Sequence, residues 1–231
     1  MIFEEKIKER YSGEKGRKYH ESKRSIPELA YLWVARLRVE KIAPYIKQTD
    51  TILEYGVGTG WNLAELNCKR RLGYDLSEHL EPTLKSHNIE YTEDISTIEN
   101  ASINIVVCHH VLEHVSNPPE VFKEIRRILC DNGKLLLYVP YEKERRYRRY
   151  NPNEPNHHIY SWNVQTLGNL VCDMGFRFIN GQVQEFGYDR FAAVWAVKFG
   201  LGETGFRLIR KTILFIKPAS EICIIAEKGY L

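Results

Sequence analysis

Cysteine is scarce in this 231-residue chain and follows no recognisable pattern. There are five cysteines, an odd number, and no two of them form a Cys-x-x-Cys pair. An odd count without paired spacing argues against a disulfide framework and against a thiolate zinc site, so we predict no metal site of that kind. The widely spaced cysteines favour a reducing compartment, and we expect a cytoplasmic protein. They are Cys68, Cys108, Cys130, Cys172 and Cys223.

Long apolar runs are also missing. The first 24 residues are highly charged and contain no apolar stretch of the kind found in signal peptides. Nowhere does the chain contain the run of about 18 apolar residues that predicts a transmembrane helix. Internal repeats and low-complexity tracts are absent as well. These absences exclude fibrous and repeat architectures and leave a globular protein as the expectation.

The chain carries only a small net charge, and one segment accounts for it. The chain has 33 Lys and Arg against 30 Asp and Glu, and residues 142–149 (EKERRYRR) alone hold five basic and two acidic residues. The whole excess of +3 therefore lies in this segment, which argues against a broad nucleic-acid-binding face and for one local anionic contact. We predict that Arg145, Arg146 and Arg149 contact an anionic substrate group. The alternative is a solvated, mobile loop.

The rest of the sequence has the pattern of one globular domain spanning residues 1–231. Of all residues, 43% are hydrophobic and 27% are charged, which suffices for a packed core. After an N-terminal arm and a helix, short apolar segments alternate with helix-like ones, and this predicts a parallel sheet with helices on both faces. The predicted strands are 51–55, 71–75, 89–91, 103–108, 134–139, 176–186 and 221–227. The predicted helices are 28–47, 61–66, 78–87, 119–129 and 166–174, with a turn at 131–133.

A glycine-rich loop follows the first predicted strand. Gly56 and Gly58 fit the dinucleotide pattern G-x-G-x-x-G, but Trp61 occupies the third position and the third glycine comes one residue early, at Gly60. No Gly-Lys-Ser/Thr follows, which excludes a phosphate-binding P-loop. Asp75 ends the second strand, 19 residues after Gly56. An acid at this point accepts hydrogen bonds from the hydroxyls of a ribose, because ligands of open α/β sheets bind at the carboxyl ends of the strands.

Four segments in this order resemble the successive motifs of class I S-adenosylmethionine-dependent methyltransferases. The resemblance is close over residues 50–140 and looser to the end of the chain. It implies a Rossmann-like, seven-stranded, mostly parallel sheet with helices on both faces, an antiparallel last strand and a helical insertion before that strand. The cofactor would be S-adenosylmethionine and its product S-adenosylhomocysteine. The segments are Glu54-x-Gly56-x-Gly58-x-Gly60, Gly73-Tyr74-Asp75-Leu76-Ser77, Glu93-Asp94-Ile95, and residues 105–115 (IVVCHHVLEHV).

The resemblance also implies roles for individual residues in binding the cofactor. The glycines would surround its methionine part, Asp75 would hold the ribose, and Asp94 would accept from the adenine amino group. The N-terminal arm, residues 1–27, would form a lid through Tyr11 and Tyr19, or these would be surface aromatics on a mobile arm. The full set of predicted cofactor-binding residues is Tyr19, Glu54, Tyr55, Gly56, Gly58, Gly60, Asp75, Leu76, Asp94, Ile95, Cys108 and His109.

Three histidines are candidates for the base that would deprotonate a hydroxyl acceptor. Histidine has an ordinary pKa near neutrality, which suits proton removal. His114 follows the fourth strand, and His157 and His158 lie in the predicted acceptor-side loop, residues 141–163. Each has a structural alternative: His114 as a packing residue and the other two as loop residues. His110 and His114, with Glu113 between them, could also hold a metal ion. This interpretation is less favoured, because no further ligand to complete the site is evident in the sequence.

The segment 187–219 is an apolar, aromatic insertion with several basic residues. It is interpreted as a lid over the acceptor pocket or as a homodimer contact, in preference to a peripheral membrane contact. The predicted function is methylation of a small-molecule or lipid- or sugar-linked acceptor, with no nucleic-acid partner. Two rivals remain: a catalytically silent S-adenosylmethionine-binding partner protein and a nicotinamide-dependent oxidoreductase. Trp61 stands where the dinucleotide pattern has its third glycine, which argues against the oxidoreductase.

Overall fold

A computed structural model describes residues 2–142, 149–152, 154 and 156–229 of the protein. Its strands are β1 (Thr51–Tyr55), β2 (Arg70–Tyr74), β3 (Glu90–Thr92), β4 (Ile103–His109), β5 (Leu129–Pro140), β6 (Phe176–Glu185) and β7 (Ser220–Lys228). They form one seven-stranded sheet in the order β3-β2-β1-β4-β5-β7-β6. Only β7 runs antiparallel to its neighbours. The predicted fold class is confirmed.

The described helices include two in the N-terminal arm, α1 (Ile2–Tyr11) and α2 (Gly13–Arg24). The others are α3 (Tyr31–Ile42), α4 (Glu81–Ser86), α5 (Pro118–Ile128), α6 (Val164–Asp173), α7 (Asp189–Lys198) and α8 (Gly202–Ile216). Within the described part of the chain, none of them combines the length and the hydropathy needed to cross a bilayer.

Alternating side chains of the central strands build a core on each face of the sheet. On β4, Val106 and Cys108 pack with α5 and α6, whereas Ile105 and Val107 pack on the opposite face with α3. Both sets are almost completely buried, as expected for a parallel strand covered on two sides. This arrangement brings the carboxyl ends of β1, β2 and β4 to the same edge of the sheet.

Two local predictions are wrong. Residues 61–66 form successive turns rather than a helix, with Leu66 N donating to Leu63 O. Tertiary contacts determine this path, because Trp61 and Leu63 are buried and Asn62 donates to the carboxylate of Glu54. The predicted turn at 131–133 lies within β5, where the register against β4 shifts. The turn itself is present as a bulge, because residues 130–133 have no partner in either neighbouring strand and Asn132 has a φ of 58°. The predicted start of the strand at residue 134 is what is wrong, since β5 begins at Leu129.

The insertion is a helical hairpin, α7–α8, that packs against α3. Ala192, Ala193 and Ala196 of α7 are completely buried, and their small side chains allow close approach to Val34 and Phe206. A buried ion pair strengthens this contact, because the carboxylate of Asp189 lies 2.7 Å from Arg38 of α3 and 2.7 Å from Arg210 of α8. The hairpin is therefore a rigid part of the domain.

Candidate functional site

The glycine loop leaves β1 in a backbone conformation that favours glycine. Gly56, Gly58 and Gly60 have φ values of 77°, 53° and 80°. A Cβ at Gly56 would collide with the side chain of Val111. The amide of Gly56 donates to Tyr74 O at 2.8 Å, which joins the loop to the end of β2. Larger residues are therefore excluded here, and the backbone stays open to a ligand.

Asp75 joins the end of β2 to this loop. One carboxylate oxygen accepts from Gly58 N at 2.9 Å, and the other accepts from Ser77 N at 3.1 Å. An ionised carboxylate only accepts hydrogen bonds, so Asp75 suits donors such as hydroxyl groups. Asp75 and the adjacent Leu76 both line a cavity above the loop. The structure thus brings the predicted glycine loop and the predicted ribose-binding acid together.

Glu54 lies beneath the loop and is 1% exposed. Its carboxylate accepts from Asn62 Nδ2, and the hydroxyl of Tyr31 donates to Thr59 O at 2.7 Å. Burial and the nearby Glu54 raise the pKa of Tyr31 above its usual range, so the phenol remains a neutral donor. Glu54 and Tyr31 therefore support the loop from below, whereas the ligand side is formed by the glycine backbone and Asp75.

The N-terminal arm covers this first cavity. Tyr11 of α1 and Tyr19 of α2 line it, with their ring centroids 5.1 Å apart in an edge-to-face arrangement. The hydroxyl of Tyr11 lies 3.0 Å from Nδ1 of His114 across the cavity. Both tyrosines thus lie at the cavity, and their role as a lid stays a prediction. The complete lining is Ile7, Tyr11, Tyr19, His20, Tyr55, Gly56, Gly58, Tyr74, Asp75, Leu76, His110, Val111, His114 and Val115.

A second cavity, of about 870 Å³, adjoins the first beyond the ends of β4 and β5. Tyr19, His110 and His114 line both cavities and so form their common wall. The remaining residues of the second cavity are Glu113, Pro140, Tyr141, Glu142, Asn156, His158, Phe186, Gly187, Tyr188, Lys217, Pro218, Ala219 and Ser220.

His158 is held in the second cavity by a carboxylate. Its Nδ1 lies 2.7 Å from Oε1 of Glu142. A carboxylate only accepts, so in the neutral ring Nδ1 carries the proton and Nε2 has the lone pair. The ring of His114 stands edge-on to that of His158, with centroids 4.9 Å apart. This arrangement orients one imidazole as a proton acceptor next to the wall between the two cavities.

The two adjacent histidines of the acceptor-side loop have different environments. His157 has a φ of 52°, and its backbone amide donates to Glu154 at 2.6 Å. Its ring is exposed and lines neither of the two cavities. The structure therefore brings His114 and His158 together and leaves His157 outside.

Other predicted site residues lie apart from the two cavities. Cys108 is buried within β4, and Ile95 packs on the core near α5. Asp94 is exposed, and its Oδ1 accepts from Ser96 N at 2.9 Å. Arg149 is exposed and lines neither cavity. Arg145 and Arg146 lie outside the described residues.

A buried charged cluster underlies the wall between the cavities. Glu221 is completely buried, with Oε1 2.8 Å from Lys41 Nζ and Oε2 3.2 Å from Nε2 of both His109 and His110. Burial alone would raise the pKa of Glu221, but the charge of Lys41 and the hydrogen bond from Nε2 of His110 lower it well below its usual range. Burial lowers the pKa of His110 to about 4 and that of His109 well below its usual range. Both rings are therefore neutral near pH 7.

This cluster makes stability depend on pH. The unfolded chain binds a proton on His110 near pH 6.5, whereas the folded protein does so only near pH 4. The free energy of unfolding therefore falls as the pH is lowered through this interval, by up to about 3 kcal/mol for His110 alone. We expect His110→Asn to reduce this decrease in urea titrations, with Gln48→Asn, an exposed position without a titratable group, as control. If the free energy of unfolding of His110→Asn depends on pH as that of the wild type does, the low pKa assigned to His110 is wrong.

Two groups of side chains have the spacing of metal ligands. One comprises Glu113, His114 and His158, and the other comprises His109, His110 and Glu221, each with its ligand atoms within 4.8 Å of one another. The predicted set of His110, Glu113 and His114 is not brought together as such. In the second group the ammonium of Lys41 lies 2.8 Å from His109 Nε2, where it would repel a metal cation.

Sequence reasoning missed several residues of the site. Glu142 was counted only as one of two acids in a basic segment, although its carboxylate orients His158. Glu221 and Lys41 gave no signal, because they are 180 residues apart in sequence and meet only through packing of α3 on the start of β7. Tyr74 and Val111 lie inside the segments that resemble the family motifs, although the resemblance implies no role for them.

Known proteins are similar to this chain in sequence or in fold. A mycobacterial protein described as a probable S-adenosylmethionine-dependent methyltransferase (Mycobacterium tuberculosis) is 27% identical over 164 residues, covering 66% of this chain and 59% of the relative. The match thus spans about three fifths of that relative's length. A Methanosarcina mazei methyltransferase structure aligns with a TM-score of 0.58 at 17% identity, covering 83% of this chain and 98% of the other.

A further solved structure is phosphoethanolamine N-methyltransferase 2 of Haemonchus contortus in complex with S-adenosylhomocysteine. It aligns with a TM-score of 0.57 at 17% identity, covering 93% of this chain and 60% of that one. The profile of a family described as methyltransferase domain matches residues 29–180, more than half of the chain. With its sheet order and glycine loop, the chain belongs to this family of methyltransferase domains and is a class I S-adenosylmethionine-dependent methyltransferase by fold.

Proposed function

We propose that the protein transfers the methyl group of S-adenosylmethionine to a hydroxyl acceptor bound in the second cavity. The observation that carries this proposal is the wall common to the two cavities, formed by Tyr19, His110 and His114. A cofactor in the first cavity and an acceptor in the second would meet there. Such juxtaposition supplies the alignment on which a displacement reaction depends.

The residues of the first cavity fit an adenosyl cofactor. The glycine backbone is open to a ligand, Asp75 can accept from ribose hydroxyls, and Leu76 offers an apolar surface for adenine. Tyr11 and Tyr19 line the same cavity and would shield a bound cofactor from water. The cofactor would supply a methyl group already activated on a sulfonium, so the protein contributes alignment, desolvation and proton removal.

His158 is the proposed base, and Glu142 is its positioning residue. The hydrogen bond of 2.7 Å from Nδ1 to Glu142 directs the unprotonated Nε2 as acceptor for the proton of the substrate hydroxyl. The carboxylate also stabilises the imidazolium that forms. His114 lies between the cofactor and acceptor sides, held by the hydroxyl of Tyr11 at 3.0 Å. We assign it to contact with both ligands.

The acceptor is proposed to be a small-molecule or lipid- or sugar-linked molecule with an anionic group. Lys217 contributes a cationic side chain to the second cavity. The excess basic charge of residues 142–149 directly follows Tyr141, another residue of that cavity. An ammonium group on the wall of a cavity favours phosphate or carboxylate on its ligand.

The proposal predicts a labelled product when the protein is incubated with S-adenosylmethionine carrying a deuterated methyl group. Aqueous metabolites and extracted lipids are supplied separately, and mass spectrometry detects the transferred label. Calorimetry with S-adenosylhomocysteine and with NAD runs in parallel. Binding of the adenosyl ligand without product from either fraction would favour a silent partner protein. Binding of NAD alone would favour an oxidoreductase and overturn the proposal.

A further inference from the structure

The outer surface of α7 carries a row of exposed aromatic rings. Phe191, Trp195 and Phe199 follow one another at intervals of four residues and are 50%, 41% and 56% exposed. The rings of Phe191 and Trp195 are stacked and those of Trp195 and Phe199 are tilted, with centroid distances of 5.6 Å and 5.3 Å. The inward side of α7 is already filled by its buried alanines. The row is therefore not required for the core of the domain.

A second exposed row runs along α8. Leu201, Leu208 and Phe215 follow at intervals of seven residues, which places them on one side of the helix over roughly 21 Å. They are 50%, 65% and 86% exposed, and the adjacent Ile216 is 76% exposed. The inward side of α8 is occupied by Phe206 and Leu214, which are buried. Large apolar side chains at this exposure indicate a surface that meets a partner.

The charge of the hairpin favours an anionic partner. Residues 189–217 contain six basic and two acidic residues. Both acids are already paired with arginines: Asp189 with Arg38 and Arg210, and Glu203 with Arg36 and Arg207. The three lysines, Lys198, Lys211 and Lys217, lie among the exposed apolar residues. The ammonium of Lys198 lies 5.7 Å from the ring of Trp195. Aromatic rings with adjacent lysines suit the interface of an anionic bilayer.

This charge argues against a second copy of the chain as the partner. A two-fold dimer places the same surface against itself, so the lysines of one copy would face those of the other. The two acids of the hairpin are engaged with arginines and cannot compensate this repulsion without losing those pairs.

The exposed rows lead to the opening of the second cavity. Tyr188 directly precedes α7 and Lys217 directly follows α8, and both line that cavity. The two helices thus meet the acceptor site at the open end of the hairpin. We propose that α7–α8 docks on an anionic lipid surface and that the acceptor is a lipid-linked molecule delivered from it. This rests on the proposed function, since it assumes an acceptor in the second cavity.

Vesicle sedimentation of the full-length protein tests the docking surface. We expect binding to an equal mixture of phosphatidylcholine and phosphatidylglycerol, weaker binding at raised salt, and little binding to phosphatidylcholine alone. The double substitution Phe215→Gln and Ile216→Gln should lower the partition coefficient about tenfold. Ile179→Gln is the control, because this isoleucine is 43% exposed on β6, away from the hairpin. Unchanged thermal unfolding would show that each variant is folded.

Three results would overturn the inference. They are absence of binding to the mixed vesicles, equal loss of binding in the Ile179→Gln control, and a dimer in light scattering that the double substitution dissociates. Calorimetry with S-adenosylhomocysteine separates these results from failure of the proposed function, because Phe215 and Ile216 line neither cavity. A protein that binds the adenosyl ligand and methylates a water-soluble acceptor without binding vesicles would refute only the lipid assignment.

Discussion

Substituting His158 by glutamine should lower kcat about 100- to 10,000-fold, the range typical of a removed general base. The amide retains polarity and approximate size but cannot take up the hydroxyl proton. His158 lines the second cavity and not the first, so affinity for S-adenosylhomocysteine should stay unchanged. The measurement is the initial rate of label transfer to the acceptor found by the extract screen, together with calorimetry of adenosyl binding.

The neighbouring histidine offers a matched control. His157→Gln introduces the same chemical change one residue earlier, at an exposed ring outside both cavities, and should leave kcat within about twofold of wild type. Glu142→Gln should reduce kcat less than His158→Gln, because the carboxylate acts through the imidazole. Equal losses in the two histidine variants would refute the assignment of the base.

Asp75→Asn should weaken binding of S-adenosylhomocysteine about 10- to 100-fold, which corresponds to about 1.5–3 kcal/mol. The substitution removes a charged acceptor of the ribose hydroxyls. It also weakens the bonds from Gly58 N and Ser77 N that hold the loop against the end of β2. Both effects weaken binding of the same ligand, so the predicted loss of affinity is large for an isosteric substitution. Calorimetry with S-adenosylhomocysteine measures it.

Asp131→Asn is the control for this change. Asp131 is an exposed acid near the start of β5, at the edge of the sheet opposite the site, so its substitution should leave the affinity unaltered. Unfolding midpoints of both variants distinguish a lost ligand contact from a disordered loop. An affinity of Asp75→Asn equal to that of wild type would remove Asp75 from the cofactor site.

Much of the cofactor side could be predicted because it depends on local sequence. The positive φ of Gly56 and the position of Asp75 at the end of a strand follow from short motifs and from the rule that strand ends meet at one edge. The acceptor side could not be predicted in this way. His157 and His158 are equivalent by sequence, and only the left-handed backbone at His157 and the carboxylate of Glu142 distinguish them.

The insertion, residues 187–219, also has features that follow from sequence and others that only packing decides. Its apolar and basic residues predicted a surface of special character, and the sequence favoured a lid or a homodimer contact over a membrane contact. The packing of Ala192 and Phe206 on α3 shows which side of each helix is satisfied within the domain and which side remains exposed. Hydrophobic periodicity alone does not show which side of α8 packs on the domain, because both sides carry large apolar residues.

The sequence by itself determined the order of strands and helices, the glycine loop and the acid that follows it, since each depends on residues close together in the chain. Only the tertiary structure decided that two cavities share a wall at His110 and His114, that Glu142 orients His158, and that Glu221 meets Lys41. These contacts join residues from distant segments, and their geometry depends on how helices pack on the sheet. Such packing leaves no local pattern in the order of residues.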